Sequence, residues 1–434
     1  MNILMAILAF NIIVIVHELG HFIAAKRSGV KVLEFSLFMG PKIFSINRGG
    51  TMYSLRLIPI MAYVKMEGEE EESDSEYSFS KKPGYIRALI AFSGPLANLL
   101  LAAVLLTVVF SVQGFQTLSV KQVVENSPAA EAGIRPGDKI IAYDNKRVYQ
   151  PLDMIQFLYV SKGKPTVVKY RRGNETFTKT INPTIVPSAE TPMLGVSLGN
   201  IDEPDSNVIK DVLPGYPAEK TGLMAGDRIV ALNGVEINSG RELMDIVSKN
   251  GANPIEVKVI RGESEVNVTI TPVMVKSQEM YDIGLSFTGK QGNLLESLQE
   301  SVVFTYSIVR STAYSLGWLF TGKARLSDLM GPIGMVSTIS TAVQQAPNFM
   351  EMLLYLLYIT ALMSIAIGAS NLIPFPVLDG GRIVLIGVEA IRGKPLSRDK
   401  EAIISMIGFA LIIMLGVYAA YNDIVRIITG QMPG

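Results

Sequence analysis

The sequence predicts a polytopic α-helical membrane protein with four transmembrane helices, a membrane-associated β-hairpin or small sheet, and two exterior α+β domains. Three observations carry this fold class. Only 18% of the 434 residues are charged and 49% are hydrophobic, whereas soluble domains average roughly 25% charged residues. Four long stretches are apolar and almost free of charge. An internal repeat lies between the second and the third of these stretches.

The overall composition excludes several classes of protein. Basic and acidic residues each number 39, so the formal net charge is zero. A disordered or coiled-coil chain would carry more charge and less hydrophobicity. A nucleic-acid-binding domain would be basic, so no nucleic-acid partner is expected. The chain has no cysteine and two histidines, which excludes disulfides, thiolate metal ligands and thiol nucleophiles.

Four apolar stretches are long enough to cross a lipid bilayer, which requires about 20 residues. The first could instead be a signal peptide. However, no basic segment precedes it, and Lys26 and Arg27 follow it instead. The predicted spans are residues 1–26, 88–112, 352–378 and 402–422.

Basic residues predict how these spans are oriented. Lys26 and Arg27 follow the first span, Lys81 and Lys82 precede the second, and four more basic residues lie within 392–400. The positive-inside rule makes these loops cytoplasmic. Both termini and the long segment 113–351 are then expected on the exterior side.

The region 27–87, between the first two spans, predicts a β-hairpin or small sheet. Its β-prone runs lie between residues 32 and 66, with breaks at 40–41 and 48–50. The region is apolar for a loop in water, and non-helical backbone at membrane depth must be buried in protein or line a cavity. It is either an ordinary cytoplasmic hairpin or a re-entrant sheet whose edge pairs with an unwound peptide.

The exterior segment contains two copies of one domain. The copies are offset by 89 residues, and the matched positions in the first copy are Pro128, Gly133, Gly137, Asp138, Gly173 and Pro183. A constant register indicates a domain repeat, with predicted bounds of 115–200 and 201–290. The motif and its tight-turn glycines resemble a PDZ domain, and PDZ domains bind extended peptides by strand addition. Peptide binding and passive exclusion of bulky partners both remain open.

A further apolar stretch, 302–321, lies within the segment 291–345. It carries Arg310 and several serines and threonines. We therefore expect an amphipathic helix at the outer membrane interface rather than a fifth span.

Both histidines of the chain belong to an H-E-x-x-H motif within the first span. On a helix, His17 and His21 lie on one face, one turn apart, so both imidazoles can bind one Zn²⁺. Glu18 is offset by about 100° and can reach a zinc-bound water. Three ionisable groups in one turn of a spanning helix are costly and are usually functional, which argues against a purely structural role.

A catalytic zinc normally has three protein ligands and one open position. Because no third histidine and no cysteine exist, the third ligand must be a carboxylate. Asp379 is the best candidate, because it closes the third span at the depth of the H-E-x-x-H motif. The prolines before it break the helix and free backbone groups for hydrogen bonds.

Taken together, these motifs resemble the site-2 protease family of intramembrane zinc metalloproteases. The resemblance covers essentially the whole chain. It rests on HELGH at 17–21, NLIPFPVLDGG at 371–381, GPLAN at 94–98, the two PDZ-like repeats and the GPIG turn at 331–334.

The resemblance implies a set of roles and partners. The zinc ligands would be His17, His21 and Asp379, the catalytic base would be Glu18, and an unwound substrate would be held by Asn371, Pro374 and Pro376. Substrates would be single-pass proteins of the bacterial inner membrane. Examples are an anti-sigma factor already trimmed on the outside, in an envelope stress response, and remnant signal peptides. Cleavage would occur near the cytoplasmic side, with the PDZ pair as a size filter or peptide sensor.

Two other functions fit the sequence less well than a protease. A membrane adaptor with a structural zinc would have no use for the base Glu18. A metal or ion transporter would need a continuous polar path, whereas the polar groups here are confined to one depth of the membrane.

Overall fold

The computed structural model describes residues 2–69, 73–186, 190–198, 206–213, 215–276, 280–324, 326, 334, 348–394 and 397–429. Its helices are α1 (Asn2–Arg27), α2 (Gly84–Gln113), α3 (Pro128–Glu131), α4 (Pro151–Ser161), α5 (Pro217–Lys220), α6 (Gly240–Asn250), α7 (Leu294–Phe320), α8 (Phe349–Asn371), α9 (Asp379–Arg392) and α10 (Arg398–Thr429), with a short 3-10 helix at Phe79–Lys81.

The strands alternate with the shorter helices. They are β1 (Val32–Arg48), β2 (Thr51–Met66), β3 (Phe115–Val123), β4 (Lys139–Tyr143), β5 (Lys146–Arg147), β6 (Thr166–Arg172), β7 (Glu175–Ile181), β8 (Thr184–Val186), β9 (Glu190–Met193), β10 (Val196–Ser197), β11 (Asp211–Val212), β12 (Arg228–Leu232), β13 (Val235–Glu236), β14 (Ile255–Arg261), β15 (Ser264–Ile270), β16 (Val273–Lys276), β17 (Met280–Asp282) and β18 (Leu285–Lys290).

Among the described residues, four helices are long and apolar enough to cross a membrane. They are α1, α2, α8 and α10, which agrees with the predicted number of spans. The third span ends earlier than the predicted residue 378, because Pro374 and Pro376 lack the N–H groups that a helix needs. Val377 also has a positive φ of 81°. Asp379 consequently begins a new helix, α9, instead of closing the third span.

Helix α2 lies at the centre of the bundle and packs against α1, α7, α8 and α9. Glycines allow α1 and α2 to approach closely. A Cβ atom at Gly20 would lie 2.4 Å from the carbonyl oxygen of Ser93, and one at Gly94 would lie 2.3 Å from Nε2 of His21. Only glycine fits at both positions without a shift of the backbone or of the ring.

The predicted β region is an antiparallel hairpin that is folded back on itself. Its pairing runs from Val32 opposite Met66 to Arg48 opposite Thr51, and the chain reverses at Gly49 and Gly50. At the predicted break 40–41 the strand folds back, so residues 34–37 pair both with residues 62–65 and with residues 52–55. Thr51, beside the turn at Gly49 and Gly50, consequently lies at the start of β1, where its hydroxyl donates to the carbonyl oxygen of Val32 at 2.9 Å. The start of β1 and the end of β2 are buried, the fold-back region exposes large apolar side chains such as Met39, Ile58 and Met61, and β2 packs against α1.

Each copy of the repeat forms an antiparallel sheet. The first copy contains the order β18-β3-β4-β6-β7, with β5 beside β4, and the second contains β13-β12-β14-β15. Each copy also contains the same ion pair with a buried aspartate: Arg172 binds Asp138 in the first copy and Arg261 binds Asp227 in the second. Both residues of the second pair lie 89 residues after their counterparts in the first, so the ion pair accounts for two matched positions of the repeat.

The strand pairing does not follow the predicted domain bounds 115–200 and 201–290. Leu285 pairs with Val123, so β18 completes the first copy although it follows the second in the chain. Val196 pairs with Val212, so β10 joins the second copy although it lies in the first predicted range. The 89-residue offset continues through these segments. It does not indicate which sheet receives each one, because strand pairing is set by contacts distant in sequence.

Helix α7 covers most of the described part of the predicted segment 291–345. It is amphipathic, with Ser301 and Phe304 buried and Leu298 and Val302 exposed. It is not among the helices that are long and apolar enough to span a membrane. In the predicted turn at 331–334, residues 331–333 lie outside the described residues.

Candidate active site

Helix α1 places both histidine rings on one face, as their spacing predicts. The Nε2 atoms of His17 and His21 lie 3.2 Å apart, and the rings meet edge to face. His17 is buried within the bundle. Two imidazole nitrogens therefore converge on one point inside the helical bundle.

The turn between α8 and α9 brings Asp379 to the same point. Its Oδ2 atom lies 3.2 Å from Nε2 of His17 and 3.5 Å from Nε2 of His21. The turn is tightly folded: a Cβ atom at Gly380 or Gly381 would lie 2.3 Å or 2.1 Å from a backbone oxygen of the preceding residues. The two glycines after Asp379 are thus required by the turn that positions its carboxylate.

These three donor atoms fit a zinc ion. His17, His21 and Asp379 each offer one ligand atom, and the three atoms lie within 4.8 Å of one another. Among the described residues, this is the cluster of potential metal ligands that was found. A tetrahedral zinc with ligand bonds of about 2.0–2.1 Å separates its ligand atoms by about 3.3 Å. The observed separations of 3.2, 3.2 and 3.5 Å match that spacing. Two nitrogens and one carboxylate oxygen also form a common catalytic zinc donor set.

The second nitrogen of each ring contacts α2. Nδ1 of His21 lies 2.8 Å from the carbonyl oxygen of Ile90, and Nδ1 of His17 lies 3.2 Å from the side-chain amide of Asn98. A histidine that binds a metal through one nitrogen usually donates the proton of the other nitrogen to such a partner.

Glu18 lies beside the two histidines and faces the hairpin. Its Oε2 atom accepts a hydrogen bond of 3.1 Å from the backbone N–H of Val64 in β2. One heptad earlier on the same face of α1, the side chain of Asn11 donates to the carbonyl oxygen of Pro59 at 2.8 Å. The hairpin is therefore held against the face of α1 that carries Glu18.

A family model described as "Peptidase family M50" matches residues 5–415. The chain belongs to peptidase family M50. It is therefore a zinc metalloprotease of the site-2 protease type.

Curated relatives of this M50 protease match it along nearly the whole chain. It is 31% identical to "Regulator of sigma E protease" from Haemophilus influenzae, with 97% of this chain and 98% of that protein covered. It is 28% identical to "Zinc metalloprotease RasP" from Geobacillus kaustophilus, with 98% and 97% covered. It is 27% identical to "Regulator of sigma-W protease RasP" from Bacillus subtilis, with 97% of each chain covered.

The other predicted site residues of this M50 protease lie in the turn before Asp379. Asn371 is the last residue of α8, and Pro374 and Pro376 form the connection that follows it. Pro376 packs closely on Gly408 of α10. These residues are near the ligand group along the chain.

Several contacts at this site were not predicted from sequence. Arg382, three residues after Asp379, pairs with Glu69, and Arg87 pairs with Glu389 at 2.6 Å. Asn98 appears in the GPLAN motif, but its contact with His17 depends on how α1 and α2 pack. No local sequence signal reports that packing.

Proposed function

We propose that this M50 protease hydrolyses peptide bonds within transmembrane segments of single-pass membrane proteins, with zinc held by His17, His21 and Asp379 and with Glu18 as the catalytic base. The single observation that carries the proposal is the convergence of two imidazole nitrogens and one carboxylate oxygen inside the helical bundle. A carboxylate one residue from the first ligand completes the set of groups that zinc peptidases use.

The residues divide the chemistry between them. Bound zinc would supply a Lewis acid and lower the pKa of a water molecule. The Glu18 carboxylate accepts a proton from the attacking water and delivers it to the departing amine nitrogen. The hydrogen bond from Val64 N–H to Oε2 fixes the orientation of this carboxylate. The second oxygen of the carboxylate is then the one that faces the water.

An unwound substrate needs a partner for its backbone. Within a helix, each peptide bond is shielded by hydrogen bonds, and a segment unwound in lipid must satisfy its polar groups elsewhere. The N–H of Val64 points to α1, so this side of β2 faces away from β1. We assign substrate pairing to this edge, beside Glu18. The turn residues Asn371, Pro374 and Pro376 support the unwound segment from the opposite side.

The names of the relatives and the repeat support our proposal for the substrate class. Two relatives are named as regulators of sigma E or sigma-W, which supports an anti-sigma factor as substrate in a stress response of the bacterial inner membrane. Remnant signal peptides would be a second class. We place both termini and the PDZ-like copies on the periplasmic side, where the copies act as a size filter or peptide sensor, and cleavage near the cytoplasmic side.

The proposal is tested by cleavage of a tagged single-span protein by the purified chain in detergent. We expect Glu18→Gln to lose activity by a factor of about 10²–10⁴ and to keep its zinc. We expect Asp379→Asn to lose zinc as well as activity. Zinc content is measured on each variant beside the wild type.

Other outcomes would support the competing functions. Cleavage that persists in Glu18→Gln would belong to another base or to a contaminant, and a membrane adaptor would then be favoured. Zinc flux through liposomes that contain the protein would instead indicate a transporter.

A further inference from the structure

The two histidine rings need partners for the nitrogens that do not face the ligand group. If Nε2 of each ring binds a metal, its lone pair must be free, so the proton of the neutral ring lies on Nδ1. That N–H requires an acceptor, because both rings lie inside the bundle. The His21 ring has one, since its Nδ1 lies 2.8 Å from the carbonyl oxygen of Ile90.

The partner of the His17 ring is the side chain of Asn98. This side chain is fully buried, at 0% exposure. Its nitrogen lies 3.2 Å from Nδ1 of His17, while its Oδ1 atom is buried without a hydrogen-bond partner. With the amide oriented this way, His17 would have to accept at Nδ1 and carry its proton on Nε2. A protonated Nε2 cannot bind zinc.

The opposite orientation of the amide removes this conflict. The oxygen and nitrogen of an asparagine side chain have nearly the same shape, and their assignment follows from the hydrogen bonds that each orientation makes. A half-turn about the Cβ–Cγ bond places Oδ1 opposite Nδ1 of His17. The ring then donates its proton to Oδ1, and the amide nitrogen takes the position of the oxygen that had no hydrogen-bond partner.

We propose that Asn98 is a positioning residue for the zinc site: its amide oxygen accepts the Nδ1 proton of His17 and thereby fixes the ring tautomer whose Nε2 binds zinc. The inference rests on the proposed zinc ligands and adds a residue outside that set. Partners of this kind typically change metal affinity by about 10- to 100-fold when removed.

The backbone around Asn98 is fixed by two neighbouring helices. The Ser364 hydroxyl of α8 donates a hydrogen bond of 2.8 Å to the carbonyl oxygen of Asn98. Gly368, one turn further along α8, packs so closely that its Cβ would lie 3.3 Å from Cβ of Asn98. The amide therefore has a fixed position between α8 and His17, as its role requires.

The test compares Asn98→Asp with Asn98→Leu in the full-length protein in detergent. Ionised aspartate has the shape of asparagine but offers only acceptors, and leucine has the same branching and number of side-chain heavy atoms without polar atoms. Zinc affinity is measured by competition with a chelator. We expect Asn98→Leu to bind zinc about 10- to 100-fold more weakly and Asn98→Asp to bind it at least as tightly as the wild type.

The second readout is independent of activity. Because the chain contains two histidines, ¹⁵N-histidine labelling gives four ring nitrogens, which zinc-loaded NMR spectra can resolve. We expect two Nδ1–H protons in the wild type and in Asn98→Asp. In Asn98→Leu the signal of the His17 Nδ1 proton should be lost to exchange with solvent. The His21 Nδ1 proton, which is hydrogen-bonded to the carbonyl oxygen of Ile90, should remain visible as the internal control.

Each possible result decides a separate point. Wild-type zinc affinity and both protons in Asn98→Leu would overturn the inference. So would the loss of zinc and of the His17 proton in Asn98→Asp, because the amide nitrogen would then be the partner. If Asn98→Leu does not fold, Asn98→Asp alone makes this decision. If zinc shifts no ring nitrogen in the wild type, the proposed ligands themselves are wrong.

Discussion

At the scale of single residues, the active site depends on small side chains as much as on its polar ones. The His21 ring lies against α2 where Gly94 has no side chain, and Gly20 meets the carbonyl oxygen of Ser93. These contacts set the depth at which α1 and α2 cross. The positions of both rings follow from that depth, because the helix that carries them is rigid.

Gly94→Ala is expected to displace the His21 ring, because the added Cβ would lie 2.3 Å from Nε2. A displacement of about 1 Å at a reacting centre costs about 10²-fold in rate, and zinc content should fall with it. Both are measured on protein purified in detergent. Gly416→Ala in α10 meets no atom within 4 Å and is the matched control. Wild-type zinc content and activity in Gly94→Ala would contradict this account of the α1–α2 contact.

The sequence predicted the candidate zinc ligands better than it predicted the residues that contact them. Spacing along a helix is local, so it predicted that His17 and His21 share a face, and the lack of other donors indicated Asp379. The contact of Asn98 with His17 and the fit of Gly94 against His21 join two helices. Both contacts depend on how α1 and α2 are rotated about their axes and how far along each helix they cross, which no local pattern in the sequence determines.

At the scale of secondary-structure elements, each repeated domain contains an ion pair with a buried aspartate. Asp227 is 1% exposed, and Arg261 donates to both of its carboxylate oxygens at 2.7 Å. The hydrogen bond from Arg261 holds the pKa of Asp227 below its usual range. The same pair recurs as Asp138 and Arg172, so it joins the turn before one strand to the end of another in both copies.

Asp227→Asn is expected to destabilise the second copy by about 2 kcal/mol at neutral pH, because a hydrogen bond to a charged group is lost. The lowered pKa sets the sign of the pH dependence. The stabilisation is present above the ordinary carboxyl pKa of about 4 and is lost as the pH falls through the lowered value. The stability of the second copy in the wild type should therefore fall to that in the variant only in acid.

Hydrogen exchange in β12, β14 and β15 of the full-length chain measures this difference, with the first copy as internal control. Glu265→Gln removes an exposed pair with Lys258 on the same sheet and should change exchange little, as surface pairs do. Equal exchange in Asp227→Asn and the wild type at neutral pH would show that the buried pair does not stabilise the sheet.

The hairpin is the second element with a testable role. Val64→Pro removes the N–H that reaches Glu18, and this N–H faces away from β1. We expect cleavage to fall by about tenfold or more, as for a misplaced general base, while zinc stays bound. Val64→Ala keeps the N–H and should behave like the wild type. Unchanged turnover in Val64→Pro would exclude a role for this edge of the hairpin in catalysis.

At the scale of the whole molecule, α7 joins the membrane helices to the first repeated domain. Ser301 hydrogen-bonds Thr107 of α2 at 2.8 Å. Further along α7, Arg310 lies 2.7 Å from Asp153 of α4, which is 1% exposed. One helix thus contacts the bundle and the domain. The sequence predicted an amphipathic α7, but the exchange of β10 and β18 between the copies could not be predicted, because both segments carry the same repeat pattern.

Arg310→Gln is expected to loosen the first domain from α7. The substitution removes the positively charged partner of the buried Asp153 carboxylate, which still accepts hydrogen bonds from Ser307 and from the Tyr149 N–H. The expected cost in free energy is therefore about 2 kcal/mol. This corresponds to an opening equilibrium about 30-fold more favourable, seen as faster hydrogen exchange in α4. Zinc content should not change, because the ligands lie on α1 and α9. Lys290→Gln, which removes an exposed pair with Glu296, is the control.

The same variant tests whether the exterior domains act as a size filter. If the position of the first domain excludes bulky substrates, Arg310→Gln should cleave a substrate with a folded exterior domain faster relative to its trimmed form. The ratio of the two rates separates this effect from a general change in activity, because both substrates present the same transmembrane segment to the same zinc site. Faster exchange in α4 with an unchanged ratio would show that the domain is held by α7 but does not select substrates by size, which leaves peptide binding as its function.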